Sequence, residues 1–200
     1  MRYTKISPNT FAELQLNAGI LLSDFDPETG EFALETDILG ATTGGMTISC
    51  VPTYSDFGED IDNCPKNMME LKQLDNWECT IGGTFLNVSA DVVKLALGAA
   101  DIDETNANKI TPRRDVTEAD FTDVWWVGDY SDKNGEEKGG YIAVHLMNAL
   151  STGGFSLRSG DKAKGQFDVT FTGHVSMDVQ DVVPMEFYVV AGEDETPDTP

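Results

Sequence analysis

The chain has 200 residues, 35 of them acidic against 13 lysines and arginines, for a formal charge of −22. That length suits one domain with a sizeable core, and the charge disfavours both a nucleic-acid binder that grips phosphates and a protein that settles on an anionic membrane. The N-terminus lacks a secretory apolar stretch and no run approaches the ~20 apolar residues of a membrane span, while the widely spaced Cys50, Cys64 and Cys79 make no CxxC pair and no disulfide framework, as suits plain thiols in a reducing cytoplasm.

Residues 1–18 read as an N-terminal arm. Strands are expected at 19–25 (GILLSDF) and 31–39 (EFALETDIL), around a turn built on Asp26-Pro27-Glu28-Thr29-Gly30. MTISCVPTY (46–54) follows the flexible TTGG. Segment 56–76 reads as a long loop carrying Asp56, Glu59, Asp60 and Asp62, then the apolar Met68, Met69 and Leu71. A loop of that length inside a compact domain often has a partner of its own. Asp60, Met68, Met69 and Leu71 are therefore candidates for contact with another subunit. WECTIGGTFLNVS (77–89) is the next strand, with Gly82-Gly83 marking a bulge or a close backbone approach.

The spacing then predicts a helix over 89–98. Ser89 caps it, Asp91 suits its first turn, Gly98 stops it, and Val92, Leu95 and Ala96 share a face that packs on the sheet. Strands at 122–132 and 139–150 surround Asn134-Gly135, a hairpin signal. GFSLRS (154–159) precedes a loop whose Arg158, Lys162 and Lys164 suit a solvated hairpin tip. MEFYVV (185–190) ends the domain, and 191–200 reads as a disordered acidic tail.

The clearest strand is GQFDVTFTGHVSM (165–177). Phe167, Val169, Phe171, Val175 and Met177 fall on one face, and Gln166, Asp168, Thr170, Thr172 and His174 on the other. Burying four large apolar side chains is worth about 6–12 kcal/mol, so the first face will not stay wet. A parallel sheet covered on both sides would read as a continuous apolar run. The alternation instead indicates a mainly β, antiparallel fold with one solvated face. That polar face looks either at bulk water or at an enclosed aqueous channel.

Phosphate-loop, dinucleotide, zinc-protease and nucleophile-elbow motifs are missing. His145 and His174 each sit on an expected strand. Spacing allows a Cys50–His145 dyad, but a reactive cysteine needs an electropositive setting, so structural histidines are the better reading. Asp24, Asp26, Glu28 and Glu35 fall near calcium-loop positions, yet Thr29 stands where the sharp turn needs glycine, and a polar turn fits better. Asn87-Val88-Ser89 matches a glycosylation acceptor, with Ser89 already assigned to capping. No catalytic, metal or cofactor site is expected.

FTDVWWVGDYSD, GGYIAVHLMNALSTGGF and SGDKAKGQFDVTFTGHVSMDVQDVVPMEFYV resemble the C-terminal half of the major tail proteins, the tail tube subunits of long-tailed, non-contractile bacteriophages and related prophages. NCPKNMMELKQLDNWECTIGGTF resembles the preceding loop and strand of that family. The resemblance implies an antiparallel β-sandwich or half-barrel with one flanking helix, residues 1–190 forming the tube domain. It implies a structural virion protein without catalysis or cofactor. Its copies would form hexameric rings that stack into the conduit for genome ejection, inner strands of neighbours joining into one barrel.

The implied partners are other copies of the chain, tail terminator and distal tail or baseplate proteins, and the tape measure protein during assembly. Double-stranded DNA would pass without specific contact, and no membrane is involved. The implied location is the virion tail, assembled in the bacterial host cytoplasm. Duplex DNA carries one charge per ~1.7 Å, so a passage for moving DNA needs an acidic or hydroxyl lining rather than a basic one. On this reading Gln166, Asp168, Thr170, Thr172 and His174 lie on the lumen side or the outer tube face, the lumen favoured. The alternative is an acidic β-sandwich binding module, such as a virion decoration or carbohydrate-binding domain. That module would display aromatic residues, and Trp125-Trp126 is the candidate pair. Adjacent strand residues point to opposite faces, so at least one of the two belongs to a core.

Overall fold

Each strand of this protein finds partners that run the opposite way. The computed structural model describes residues 5–7, 10–130 and 139–192. The expected Asn134-Gly135 turn lies outside these residues, as does most of the acidic tail. The strands are β1 (Gln15–Leu22), β2 (Thr42–Asp56), β3 (Lys72–Phe85), β4 (Ala100–Asp103), β5 (Asn106–Pro112), β6 (Thr122–Tyr130), β7 (Tyr141–Ser151), β8 (Leu157–Arg158), β9 (Gln166–Thr172) and β10 (Met185–Val190). Helix α1 spans Ala90–Leu97.

Eight strands make one antiparallel sheet in the order β1-β6-β7-β9-β3-β2, with β10 added on β7 and β8 on β9. Strand β7 belongs to two halves of it. Its 141–146 section pairs with β6 and β10, and its end, Leu150 and Ser151, pairs with β9. The sheet thereby folds over on itself. One apolar cluster joins Leu21, Val124, Trp126, Val144 and Leu146 of the first half to Ile81, Phe85, Phe167, Val169 and Phe171 of the second. Within it the Phe85 and Phe167 rings stack at 5.7 Å. The ends of the path, β1 and β2, touch, but no register joins them among the described residues.

The helix follows its sequence signals. Ser89 Oγ accepts from Val92 N–H at 3.3 Å, and Gly98, at φ 74°, donates back to the carbonyls of Lys94 and Leu95. Val92 and Ala96 are buried against the sheet, and Leu95 packs at the edge of the same cluster.

Several boundaries differ from expectation. Strand β1 begins at Gln15 rather than 19, so the arm ends within the sheet. A bulge between Leu16 and Ile20 keeps it in register, with Asn17 and Gly19 at positive φ and the Ala18 carbonyl accepting from Trp126 Nε1 at 3.1 Å. Segment 31–39 is not a strand; its one ladder contact is the Leu22–Ile38 bridge. Asp37 explains this, since its carboxylate takes the Ala33 N–H at 2.6 Å while its own N–H goes to the Ala33 carbonyl at 2.9 Å, closing a turn. GFSLRS contributes two strand residues, Leu157 and Arg158, both exposed, as are Lys162 and Lys164 beyond them. A second hairpin, β4–β5, was not anticipated. In its turn Lys109 and the Thr105 hydroxyl hold the Asp103 carboxyl down to about 2.

Strand 165–177 also ends early, at Thr172. Phe167, Val169 and Phe171 are buried as expected, but Val175 and Met177 are exposed. At Gly173 a Cβ would sit 2.7 Å from Leu146 Cδ1 and 3.0 Å from the Pro184 carbonyl. The chain passes through that gap as glycine and leaves the ladder.

Candidate functional site

The polar face gathers most of the residues assigned to it. Gln166, Asp168, Thr170 and Thr172 alternate along β9 with the buried Phe167, Val169 and Phe171. Register places Asp168, Thr170 and Thr172 beside Thr84, Gly82 and Thr80 of β3. Those in turn stand opposite Thr43, Thr47 and Ser49 of β2. The resulting surface is a band of hydroxyls over a glycine floor, with an open groove of about 440 Å³ along Thr43, Gly44, Thr47, Gly82 and Thr170. Asp168 is its one carboxylate among these positions, and Thr84 Oγ1 donates to it at 2.6 Å. Thr152 and Thr172 hydroxyls lie 2.9 Å apart.

His174 does not join this face. Its strand has already stopped, and the ring packs edge-on to Phe121 at 5.1 Å, with Nδ1 3.2 Å from the Asn148 carbonyl oxygen. His145 lies elsewhere, stacked on Trp125 at 3.9 Å. Its Nε2 is 3.2 Å from an Asp123 oxygen, off the line of a hydrogen bond, and its Nδ1 is 3.6 Å from Glu186. Cys50 instead faces Cys79, so the structure does not assemble a Cys50–His145 dyad.

The long loop is shorter and more built than expected. Strand β2 runs on to Asp56 and β3 starts at Lys72, leaving 57–71 between them. Asp56 organises it. Its carboxylate accepts from the N–H groups of Gly58 at 2.9 Å and Asn67 at 2.8 Å, which hold its carboxyl below the usual aspartate range. Cys64 Sγ meets Met68 Sδ at 3.4 Å, and Leu71 packs over Gly58 half-buried. Of the four candidates, Asp60, Met68 and Met69 are exposed; Leu71 serves the loop's own packing.

Below Thr80, β3 loses β9 as a neighbour, and β2 with β3 continues as a two-stranded ribbon. Val51, Tyr54, Phe57, Ile61, Met69 and Leu74 are exposed along it. Strand β10 presents a second open edge among the described residues, with Phe187 and Val189 exposed beside the buried Met185. MEFYVV, with Glu186 as its one charged residue, signals a strand but not that one side of it stays unpaired. Pro52, which has no N–H to give a neighbour, marks β2 as an edge strand.

Trp125 and Trp126 are both buried. Trp126 enters the main cluster, and Trp125 joins Leu22, Phe25 and Ala143 in a second one on the opposite face. Phe25 packs on Trp125 at 5.6 Å and Tyr141 donates to the Pro27 carbonyl at 2.8 Å, so the 23–39 segment covers that face. Asp26 serves the same segment's turn, accepting from Glu28 N–H at 2.8 Å. A cavity of about 510 Å³ lies between α1, residues 35–39 and 119–122, and is lined by Glu35, Ile38, Asp91, Lys94 and Leu95. Among the described residues no cluster of three or more histidine, cysteine or acidic side chains is placed to hold a metal, and no helix is long and apolar enough to cross a membrane. The chain matches no family model and no curated protein.

Proposed function

We propose that this chain is the self-assembling subunit of a phage-type tail tube, a structural virion protein whose rings stack into the conduit for genome ejection. The projecting β2–β3 ribbon carries the reading. A two-stranded hairpin is marginal by itself in water. This one extends past β9 and exposes seven large apolar side chains, from Val51 to Leu74. Such a surface calls for a partner that completes it. The edges of β2 and β10 are different surfaces on one subunit, and different surfaces meeting head to tail close into a ring when the rotation suits.

The hydroxyl band supports the lumen assignment of Gln166, Asp168, Thr170 and Thr172. Its hydroxyls offer duplex DNA little to hold or stick to, and the one cation paired to it is Arg158, the register partner of Gln166 at its end. The rival reading, a carbohydrate-binding or decoration module, expects a displayed aromatic platform; its candidate pair, Trp125 and Trp126, is buried, and the exposed Tyr54, Phe57 and Phe187 are divided between the ribbon and β10. Electron microscopy of the full-length chain across a concentration series tests the proposal. Hollow rings or tubes are expected; monomers at every concentration, with or without preformed tube ends as seeds, would overturn it.

A further inference from the structure

We propose that Cys50 and Cys79 are a modification site, a thiol pair that closes into a reversible cross-strand disulfide at the root of the β2–β3 ribbon. The two residues are direct register partners, and their sulfurs lie 3.2 Å apart. The Cys79 carbonyl accepts from Gly173 N–H at 3.0 Å, on the side away from β2. Backbone N–H and C=O of one strand residue point the same way, so Cys79 turns no ladder bond toward Cys50. Theirs is a non-hydrogen-bonded pair. At such pairs Cα atoms approach to about 4.5 Å and side chains come closest, inside the roughly 4.4–6.8 Å window a disulfide needs. The pair stands one residue below Thr80, where β9 stops flanking β3. A covalent link there fixes the register of a ribbon that has no third strand.

The chemistry is thiol–disulfide exchange with a small disulfide as oxidant. Cys50 is the half-buried, reachable sulfur, and Cys79 is 1% exposed. The Cys50 thiolate attacks one sulfur of the reagent, breaking its S–S bond and releasing one thiolate. The Cys79 thiolate then attacks Cys50 Sγ, forming the Cys50–Cys79 bond and expelling the second thiolate. Two electrons pass to the reagent, which leaves as two thiols carrying the two protons. Burial, with the neighbouring Cys50, pushes the Cys79 thiol up to about 12, so the second step is slow at neutral pH and quickens as pH rises.

The test uses the full chain carrying Cys64→Ser, treated with oxidised glutathione at pH 8.5 and then alkylated. Expected are loss of both thiols without added mass from glutathione, and a proteolytic peptide joining 50 to 79. A melting midpoint raised by about 10 °C, reversed by dithiothreitol, should accompany them. Cys79→Ser in the same background should instead stop at a glutathione adduct on Cys50. Two unreacted thiols after prolonged oxidation, or a stable glutathione adduct with Cys79 present, would overturn the assignment.

Discussion

Replacing Phe57, Ile61 and Met69 together by serine asks whether the ribbon tip is an assembly surface. The three side chains are 61%, 54% and 81% exposed in the subunit. Full burial of such a side chain is worth about 1.5–3 kcal/mol. If contact with a neighbour removes the remaining exposure, the gain is about 0.9–1.8 kcal/mol for Phe57, about 0.8–1.6 for Ile61 and about 1.2–2.4 for Met69. Together that is about 3–6 kcal/mol per contact, or roughly two to four orders of magnitude in association constant. The subunit itself should lose little, because surface substitutions usually stay within about 0.5 kcal/mol each. Sedimentation across a concentration series reads the critical concentration, and a thermal melt reads the monomer. At least a hundredfold rise is expected in the first and a shift of no more than a few degrees in the second. A critical concentration equal to that of the unmodified chain would refute it.

Phe167→Ala removes a ring buried between Phe85 and Phe155 and should cost about 3–5 kcal/mol, read by denaturant unfolding. Gly19→Ala forces a side chain into positive φ with its Cβ 2.6 Å from the Val127 carbonyl oxygen. Neither strain has an easy relief, so a loss of about 2–4 kcal/mol is expected in the same assay. The Asp56 carboxylate, held below the ordinary aspartate range, steadies the loop at pH above that range, and the contribution disappears as pH falls through its folded-state value. Amide exchange at Gly58 and Asn67 should therefore quicken on acidification beyond the intrinsic pH trend, and Asp56→Asn should flatten that excess. Asp168→Lys places a cation on the hydroxyl band; assembled tubes should then retain added duplex DNA in a salt-sensitive way, and unchanged retention would refute the lumen assignment.

Much of this protein was written locally. Alternation along 166–172 specified a strand with a buried and a wet face, and the Ser89 and Gly98 signals specified both ends of α1. These features depend on neighbours within a few residues, so a linear reading reaches them. The β-edge at Met185–Val190 was legible as a strand but not as an edge, because an edge is defined by the absence of a second neighbour.

Cys50 and Cys79 show the same limit from the other side. They stand at similar distances from the middle of the 57–71 loop, yet they become a pair only through the register β2 and β3 adopt above the one-residue shift between Thr53 and Tyr54. The sequence by itself determined an acidic, antiparallel β protein with one capped helix and a hydroxyl-lined strand face. Only the tertiary structure decided where strands stop, as at Gly173 between Leu146 and Pro184, and which edges remain open. The physical reason is that side-chain period is a property of one strand, whereas termination and pairing are set by groups that meet across long stretches of chain.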